Sequence, residues 1–254
     1  MPAAAVTGSH SGIGHAFAEI LVREGYQVHA RDMTVGESMK SRGCQTHECD
    51  ASSEASIQTF ATGFKGRQAD LILKIAGVLH LGISKRIPVP GFIADAVRLP
   101  GIMAPHEQDT LEPTTHSVLL RTFSTNTFAP LLLTQALLPS LLLSPHPRTG
   151  LVSSRVGSIA DDSSGGSYAY RASKAALNSV GKSMAIDLEE EGVVVVLMHP
   201  GYVKIGLDTS GKTHQMKEAV EPEEAAEKLW KVCMGNGIGE TGRFWHREGM
   251  GLDW

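Results

Sequence analysis

Residues 3–14 read Ala3-Ala4-Ala5-Val6-Thr7-Gly8-Ser9-His10-Ser11-Gly12-Ile13-Gly14, a short apolar run that leads into a loop with three glycines. A helical pattern with Phe17, Ile20 and Leu21 on one face follows. Glycines permit a tight turn, and the N–H groups and dipole at the start of a helix attract a pyrophosphate. An ordinary tight turn can also contain such glycines, but a loop between a first strand and a first helix indicates a dinucleotide site. The residues expected to bind the cofactor here are Gly8, Ser9, His10, Ser11, Gly12, Ile13 and Gly14.

Strand-like apolar runs alternate with helical patterns along the rest of the chain. Strands are predicted at 26–30, 45–48, 71–75 and 193–198, at a run ending at 151–154, and within 242–254; helices are predicted at 117–143, around 170–174 and at 221–233. The unbroken run Val193–Met198 is typical of a parallel strand buried on both faces. The alternation predicts an α/β, doubly wound fold with helices on both faces of one parallel sheet. The length of 254 residues favours a single domain, 1–254.

The composition favours a small-molecule partner. A net charge of -4 and a charged fraction of 20% give no electrostatic bias toward nucleic acid or an anionic membrane. The three cysteines, Cys44, Cys49 and Cys233, indicate neither a disulfide framework nor a metal site. The N-terminus shows no targeting signal, and the most apolar run, 131–143, is too short to span a bilayer. We therefore expect a cytoplasmic protein with reduced thiols.

The second predicted strand ends in Arg31-Asp32, two side chains that make opposite demands on a dinucleotide. At this place an acid suits a free ribose 2′-hydroxyl, and an arginine suits a 2′-phosphate. Successive side chains of a strand face opposite ways, so we expect only one of the two to line the pocket. The glycine loop offers His10 and no acid, and we therefore favour Arg31 and NADP(H) over Asp32 and NAD(H). Arg42 is a further candidate for the phosphate, although a solvated surface charge also explains it.

Small and acidic residues follow the third and fourth predicted strands. Asp50-Ala51 ends the third strand, where the carboxylate could meet an adenine amino group, although Asp50 also fits a helix N-cap. Ala76-Gly77 follows the fourth strand and would let the backbone approach the cofactor. These four residues complete the cofactor site expected from the first half of the chain.

Residues 79–113 are a proline-rich insertion. Five prolines and three glycines interrupt any periodic pattern there. Such a segment is longer than compact domains usually contain without a reason, so it is either a substrate lid or a poorly ordered excursion.

The stretch Tyr170-Arg171-Ala172-Ser173-Lys174 places a phenol and an ammonium four residues apart, on one face of a predicted helix. A tyrosine with a pKa of about 10 is a poor acid or base at neutral pH, but a neighbouring positive charge lowers its pKa. Tyr170 is therefore the candidate acid/base and Lys174 the group that tunes it. The spacing alone is common, and a surface tyrosine and lysine on one helix would also produce it.

Taken together, the motifs resemble those of the short-chain dehydrogenase/reductase family. The chain carries, in the family's order, Thr7-Gly8-x-x-x-Gly12-x-Gly14, Asp50, Asn126, Ser154, Tyr170-x-x-x-Lys174 and Pro200-Gly201. The stretch 153–174 is particularly similar to the branch of C-factor or sniffer-like carbonyl reductases. The resemblance covers essentially the whole chain. It implies a Rossmann domain of about seven parallel strands that binds NAD(P) and transfers hydride between the nicotinamide and a carbonyl or carbinol carbon.

The resemblance also implies a role for each matching residue. Tyr170 would protonate the developing alkoxide, and Lys174 would lower the Tyr170 pKa and hold the nicotinamide ribose. Ser154, rather than the alternative Ser153, would hydrogen-bond the substrate oxygen, and Asn126 would hold a water of the proton relay at a helix kink. The cofactor contacts implied late in the chain are Pro200, Gly201 and Val203.

Some residues depart from the family's pattern. Lys74-Ile75 stands where the family usually has two asparagines, so a polar group that braces the central sheet is expected to be lost. Lys204 or Ile205 occupies a region where the family often has a threonine for the cofactor. The insertion lengthens the spacing before Asn126, so we expect cofactor binding with a specialised substrate pocket.

The leading interpretation is an NADP(H)-dependent oxidoreductase that acts on a carbonyl or alcohol of a small organic substrate. Fold does not dictate function, so two alternatives stay open: a non-redox enzyme such as a cyclase, isomerase or dehydratase, and an NAD(P)-sensing binding protein. The set Ser154, Tyr170 and Lys174 argues against the first, and Lys74-Ile75 alone supports the second. Apolar helices around Asn126 and Lys174 could form the four-helix contact of a homodimer or homotetramer.

Overall fold

The computed structural model of the protein describes residues 1–33, 42–75, 109–205 and 216–254. These residues form one parallel sheet of seven strands in the order β3-β2-β1-β4-β5-β6-β7. The strands are β1 (Ala3–Thr7), β2 (Gln27–Asp32), β3 (Gln45–Glu48), β4 (Leu71–Lys74), β5 (Arg148–Val152), β6 (Val194–His199) and β7 (Phe244–His246). The predicted doubly wound sheet is therefore confirmed, with small shifts at the strand ends.

Helices connect the strands. They are α1 (Gly12–Arg23), α2 (Glu54–Thr62), α3 (His116–Phe123), α4 (Ala129–Leu141), α5 (Tyr168–Asp187) and α6 (Pro222–Gly235). A π-helical turn (Ser124–Phe128) joins α3 to α4, and 3-10 turns lie at Arg155–Gly157 and Ile238–Glu240. The helix predicted at 117–143 is thus divided at Asn126. Pro130 has no N–H to donate to the Asn126 carbonyl four residues earlier, so the α-helical pattern cannot pass through this point unbroken.

The core lies on both faces of the sheet, as the side chains of β6 show. Val196 belongs to a buried cluster with Phe17 of α1 and Leu229 of α6. Leu197, the next residue, belongs to a second cluster with Leu137 of α4. Both faces of the strand are covered by helices, which is why its sequence is apolar without alternation.

The strand order reverses between β1 and β4, which are neighbours in the sheet although β2 and β3 lie between them in sequence. In open α/β sheets, ligands bind beyond the carboxyl ends of the strands at such a reversal. The glycine loop follows β1, and Ser153-Ser154 follows β5. The topology therefore places the candidate cofactor loop and the candidate catalytic residues at the same edge of the sheet.

Parts of the predicted site lie outside the described residues. Ala76, Gly77 and residues 79–108 of the insertion belong to this group, whereas 109–113 form a turn that leads toward α3. Within 1–33, 42–75, 109–205 and 216–254, no helix is both long and apolar enough to cross a membrane. The three cysteines are free thiols.

Candidate active site

The glycine loop turns sharply onto the start of α1. Gly8 and Gly12 have φ values of 68° and 58°, in the left-handed region that side chains disfavour. A Cβ on Gly14 would lie 2.1 Å from the carbonyl oxygen of Gly8, so only glycine fits there. The Ser9 hydroxyl donates to the Arg31 carbonyl at 2.9 Å, which fixes the loop to β2. The loop is therefore a compact turn held beside the N-terminus of a helix.

Arg31 and Asp32 lie on opposite sides of β2, as the alternation of a strand requires. The Asp32 carboxylate accepts hydrogen bonds from the His10 N–H at 2.9 Å and the Met33 N–H at 2.7 Å, so it lies on the glycine loop. The Arg31 side chain is 2% exposed. Its guanidinium carbon lies 5.4 Å from the centroid of the Phe60 ring. Burial lowers the pKa of Arg31, and its Nη2 has no hydrogen-bond partner.

Two further candidates from the first half of the chain have local partners. The Asp50 carboxylate accepts from the N–H and the hydroxyl of Ser52 at 2.8 and 2.7 Å, which stabilises the turn before α2. The N-cap of that helix is Ser53 rather than Asp50. Arg42 forms an ion pair with Glu19. Arg42 therefore forms a surface ion pair, which agrees with the surface charge considered as the alternative to a phosphate contact.

Ser154, Tyr170 and Lys174 are brought together. Tyr170 and Lys174, one helical turn apart on α5, are 8% and 2% exposed, and the Lys174 Nζ lies 5.9 Å from the centroid of the Tyr170 ring. The Tyr170 hydroxyl hydrogen-bonds Ser154. The Lys174 ammonium donates to the Val152 carbonyl at the end of β5, at 3.0 Å. A phenol, a hydroxyl and an amine thus share one buried site.

Burial controls the ionisation of this site. It raises the pKa of Tyr170, against the opposing effect of the hydrogen bond with Ser154. It also lowers the pKa of Lys174 to about 7. The expectation that Lys174 lowers the Tyr170 pKa is not met in this arrangement. Desolvation disfavours the charged form of both groups.

Asn126 reaches the same region from the π-helical turn. Its Nδ2 donates to the Ser173 hydroxyl at 2.9 Å, and that hydroxyl donates to the Tyr170 carbonyl at 2.8 Å. The Thr127 hydroxyl donates to the Ser173 carbonyl at 2.8 Å. The predicted kink is therefore this π-turn, which is bonded to the helix of Tyr170.

The hydroxyls of the two adjacent serines have different partners. The Ser153 hydroxyl donates to Asn178 at 2.5 Å and faces the interior, whereas Ser154 is the residue bonded to Tyr170. Gly157, in the 3-10 turn after Ser154, lets that turn approach α5 closely, because a Cβ there would lie 2.7 Å from the backbone carbonyl carbon of Lys174. No sequence motif singles out Gly157, although it lies in the glycine-rich and serine-rich stretch before α5.

Asp109 is a second residue that sequence reasoning missed. Its carboxylate is 2% exposed and accepts from the N–H groups of Ala169 and Tyr170 at 2.7 and 3.2 Å. No local pattern marks it, because it lies in the insertion, 60 and 61 residues before its two partners.

The segment after β6 is held by an arginine from the C-terminal part of the chain. Arg247 is 8% exposed, and its Nη1 donates to the carbonyls of Pro200 and Tyr202 at 2.8 and 3.0 Å. Gly201, with a φ of 69°, leaves room for the guanidinium, which would lie 2.7 Å from a Cβ. Val203 is buried and pairs with Val220 in an isolated bridge. Arg247 is a further residue that sequence reasoning missed, because it has no motif around it.

Lys74 corrects one expectation. Its side chain is 2% exposed and its Nζ donates to the Thr134 hydroxyl of α4. A polar link between the central sheet and a helix is thus present where the sequence predicted a loss. Burial lowers the pKa of Lys74 to about 7. Among the residues the structure describes, no group of three or more His, Cys, Asp or Glu side chains could hold a metal ion.

Comparison with known proteins agrees with the motifs. A family model described as short chain dehydrogenase matches residues 97–216. The chain is 31% identical over 254 residues to 1-hydroxy-2-glutathionyl-2-methyl-3-butene dehydrogenase from Rhodococcus sp. (strain AD45), and the match covers 98% of each chain. It is 38% identical over 136 residues to the C-signal protein of Myxococcus xanthus, a match that covers 54% of this chain and 78% of that one.

The fold also matches solved structures. A carbonyl reductase from chicken fatty liver, in a crystal structure with NADPH bound, has a TM-score of 0.79 and 26% identity, covering 100% of this chain and 99% of that one. The carbonyl reductase Sniffer of D. melanogaster has a TM-score of 0.76 at 22% identity, with 100% of both chains covered, and supports the fold alone. With a Rhodococcus relative matched at 31% identity along almost its whole length, the protein belongs to the short-chain dehydrogenase/reductase family of oxidoreductases.

Proposed function

We propose that the protein is an NADP(H)-dependent oxidoreductase that converts between a carbonyl and an alcohol on a small organic substrate, with Tyr170 as the acid/base. The observation that carries this proposal is the buried cluster of Ser154, Tyr170 and Lys174 at the edge of the sheet that holds the glycine loop. The Rhodococcus relative is named a dehydrogenase and the chicken neighbour a carbonyl reductase. These names describe the two directions of one type of reaction.

The residues around the glycine loop fit a dinucleotide. His10 Nδ1 and Ser11 Oγ are buried and have no hydrogen-bond partner. Buried polar groups normally find partners, so these atoms favour a polar ligand at the loop. The N-terminus of α1 would hold the pyrophosphate. The bound nicotinamide would supply or accept the hydride.

Each residue of the cluster has a task that follows from its contacts. A carbonyl that receives hydride becomes an oxyanion, so donors must point at its oxygen and a proton must arrive. Tyr170 would give that proton, and the Ser154 hydroxyl would donate to the same oxygen. Lys174 would hold the nicotinamide ribose, and Asn126, bonded through Ser173 to the Tyr170 backbone, would hold a water that returns the proton.

The preference for NADP(H) rests on Arg31. Both Asp32 oxygens already accept backbone N–H groups, whereas Arg31 has an Nη2 without a partner. An arginine can engage a 2′-phosphate bidentately. The chicken neighbour was crystallised with NADPH bound, which also supports this choice. Arg31 is buried, so its side chain would have to turn away from Phe60 to reach the phosphate.

The test is the oxidation of NADPH, followed by absorbance, against ketones, aldehydes and quinones, together with the reverse reaction on the matching alcohols. Turnover of one of these pairs would support the proposal. Thermal stabilisation by NADPH without turnover of any of them would favour the sensing protein. Conversion of a substrate with no change in the nicotinamide would favour a non-redox enzyme.

Exposed apolar side chains also support a homo-oligomer as part of this proposal. Leu120, Phe128 and Leu131, on the segment that contains Asn126, are 52%, 44% and 41% exposed. Sedimentation of the wild type should show a dimer or tetramer that Leu131→Glu weakens. Leu143→Glu, at a residue 55% exposed beyond the end of α4, is the control. A wild type that sediments as a monomer would exclude the oligomer.

A further inference from the structure

The N-terminus of α5, close to Tyr170, has no cap of its own. The N-cap residue Ser167 is left-handed, with a φ of 50°, and its side chain makes no capping hydrogen bond. No acidic residue lies in the first turn. Ser167 is also the one non-glycine residue with a positive φ in the described segments. The first N–H groups of a helix have no acceptor within it, so a buried helix start needs one from elsewhere.

Asp109 supplies that acceptor. Its Oδ1 accepts from the Ala169 N–H at 2.7 Å, and its Oδ2 accepts from the Tyr170 N–H at 3.2 Å. The carboxylate is buried, and a negative charge is favoured at the positive end of the helix dipole. One side chain therefore satisfies two N–H groups, and one of these belongs to Tyr170 itself.

The same contact joins α5 to the segment that carries Asn126. Asp109 lies shortly before Thr115, the N-cap residue of α3. One turn further along α5, Ser173 contacts Asn126 through its hydroxyl and Thr127 through its carbonyl. Two successive turns of α5 are thus bonded to the chain segment that runs from 109 to 127.

We propose that Asp109 is a positioning residue, which fixes the backbone of Tyr170 and thereby the place of its hydroxyl relative to Ser154 and Lys174. The proposal rests on the proposed function and adds to it a residue remote from the reacting atoms. A displacement of a catalytic group by about 1 Å can lower a rate about 100-fold. The glycine loop would hold most of the nucleotide on another element, so we expect the loss of Asp109 to change cofactor affinity much less than turnover.

The test compares Asp109→Ala and Asp109→Asn with the wild type. We expect Asp109→Ala to lower kcat about 10- to 100-fold, with KM and the Kd for NADPH changed less than about threefold. Asp109→Asn keeps one acceptor oxygen and should lose less. A kcat that survives Asp109→Ala, or a loss that appears in KM or Kd alone, would overturn the proposal.

Asp70→Asn is the matched control for a general loss of stability. Asp70 also accepts a backbone N–H, from Ala3 at 2.8 Å, but it lies just before β4, at the opposite edge of the sheet. We expect this change to lower Tm and to leave kcat intact. An equal loss of kcat in Asp70→Asn would mean that Asp109 acts only through global stability.

Hydrogen exchange tests the positioning role of Asp109 separately from the proposed function of the enzyme. Asp109→Ala should speed exchange at the Ala169 and Tyr170 amides at least about tenfold, with β6 unchanged as the reference. This readout does not need turnover. Unchanged exchange at both amides would overturn the proposal even in an active enzyme. If Asp109→Ala does not fold, Asp109→Asn carries both measurements.

Discussion

At Tyr170 and Lys174, burial opposes the charges that proton transfer needs. The pKa of Tyr170 is raised and that of Lys174 is lowered to about 7, both by desolvation first. Near neutral pH the lysine is therefore divided between its charged and neutral forms, and the phenol keeps its proton. A site in this state is ready to donate a proton to an oxyanion, which is the task proposed for Tyr170 in reduction.

Tyr170→Phe removes that proton and leaves the nucleotide contacts in place. We expect kcat to fall by at least about 100-fold while the Kd for NADPH stays within about twofold. Lys174→Ala should lower both kcat and the affinity for NADPH, because Lys174 lies beside the Tyr170 ring and would also hold the nicotinamide ribose. Steady-state kinetics and fluorescence titration of NADPH measure these values. Near-normal turnover of Tyr170→Phe would remove Tyr170 from the mechanism.

The choice between NADPH and NADH also depends on single residues. Arg31→Ala should weaken NADPH binding about 10- to 100-fold and leave NADH binding nearly unchanged, because only NADPH carries the 2′-phosphate. The ratio of the two dissociation constants does not depend on the folded fraction. Arg42→Ala is the control, since Arg42 pairs with Glu19. A wild-type preference for NADH, or a ratio that survives Arg31→Ala, would give the role to Asp32.

At the scale of elements, the junction of β4 with α4 depends on one buried amine. Lys74 bonds Thr134, whose hydroxyl donates in turn to the Pro130 carbonyl at 2.7 Å. Burial lowers the Lys74 pKa from 10.5 to about 7. The link orients two elements of the site, but the charged form of the amine is costly in this place.

The pH dependence of stability follows from this shift. Between about pH 7 and about pH 10 the unfolded chain binds the Lys74 proton and the folded chain does not, so the free energy of unfolding rises with pH. Lys74→Met should remove about 2 kcal/mol of the rise between about pH 7 and about pH 9. Urea denaturation of the wild type and of Lys74→Met at the two pH values measures this difference. Lys174 contributes equally to the pH dependence of both proteins. Equal slopes would show that Lys74 is charged in the folded protein.

For the whole molecule, the acid side of the stability profile depends on buried histidines. His29 is 3% exposed, its Nδ1 lies 3.2 Å from His47 Nε2, and burial, with a smaller effect of His47, lowers its pKa to about 4. His199, at the end of β6, has its pKa lowered to about 3, again mainly by burial. Both imidazoles stay neutral in the folded protein at pH values where the unfolded chain binds protons.

Stability should therefore fall as the pH drops from about 6.5 to about 4. His29 alone accounts for up to about 3 kcal/mol of this loss, which is complete below its folded pKa. His29→Phe should flatten the profile, and His146→Phe, at an exposed residue, should not. Chemical denaturation at about pH 7 and about pH 4.5 gives both slopes. An unchanged slope in His29→Phe would place the acid sensitivity elsewhere.

Local sequence was sufficient to predict the structure wherever the signal is periodic or lies within a few consecutive residues. The glycine loop, the alternation of strands and helices, and the spacing of Tyr170 and Lys174 are set by backbone geometry over a few residues. The break at Asn126 follows from Pro130, four residues later. These features predicted the doubly wound sheet and the pairing of Tyr170 with Lys174 before any contact was known.

Contacts between distant segments could not be read in this way. Asp109 meets Tyr170 across 61 residues, and Arg247 meets Pro200 across 47. Alternation predicted that only one of Arg31 and Asp32 lines the cofactor pocket, and the sequence favoured Arg31. The register of β2 against β1 directs Asp32 to the glycine loop and Arg31 to Phe60 on the other face.

The sequence by itself thus determined the fold class, the order of the elements and the residue types at the edge where the site lies, because these depend on local propensity and hydrophobic period. The tertiary structure decided which side chains are desolvated and which partners they find. Burial moved the pKa values of Tyr170, Lys174 and Lys74 away from their ordinary range. Desolvation depends on everything packed around a group, so no stretch of the chain specifies it alone.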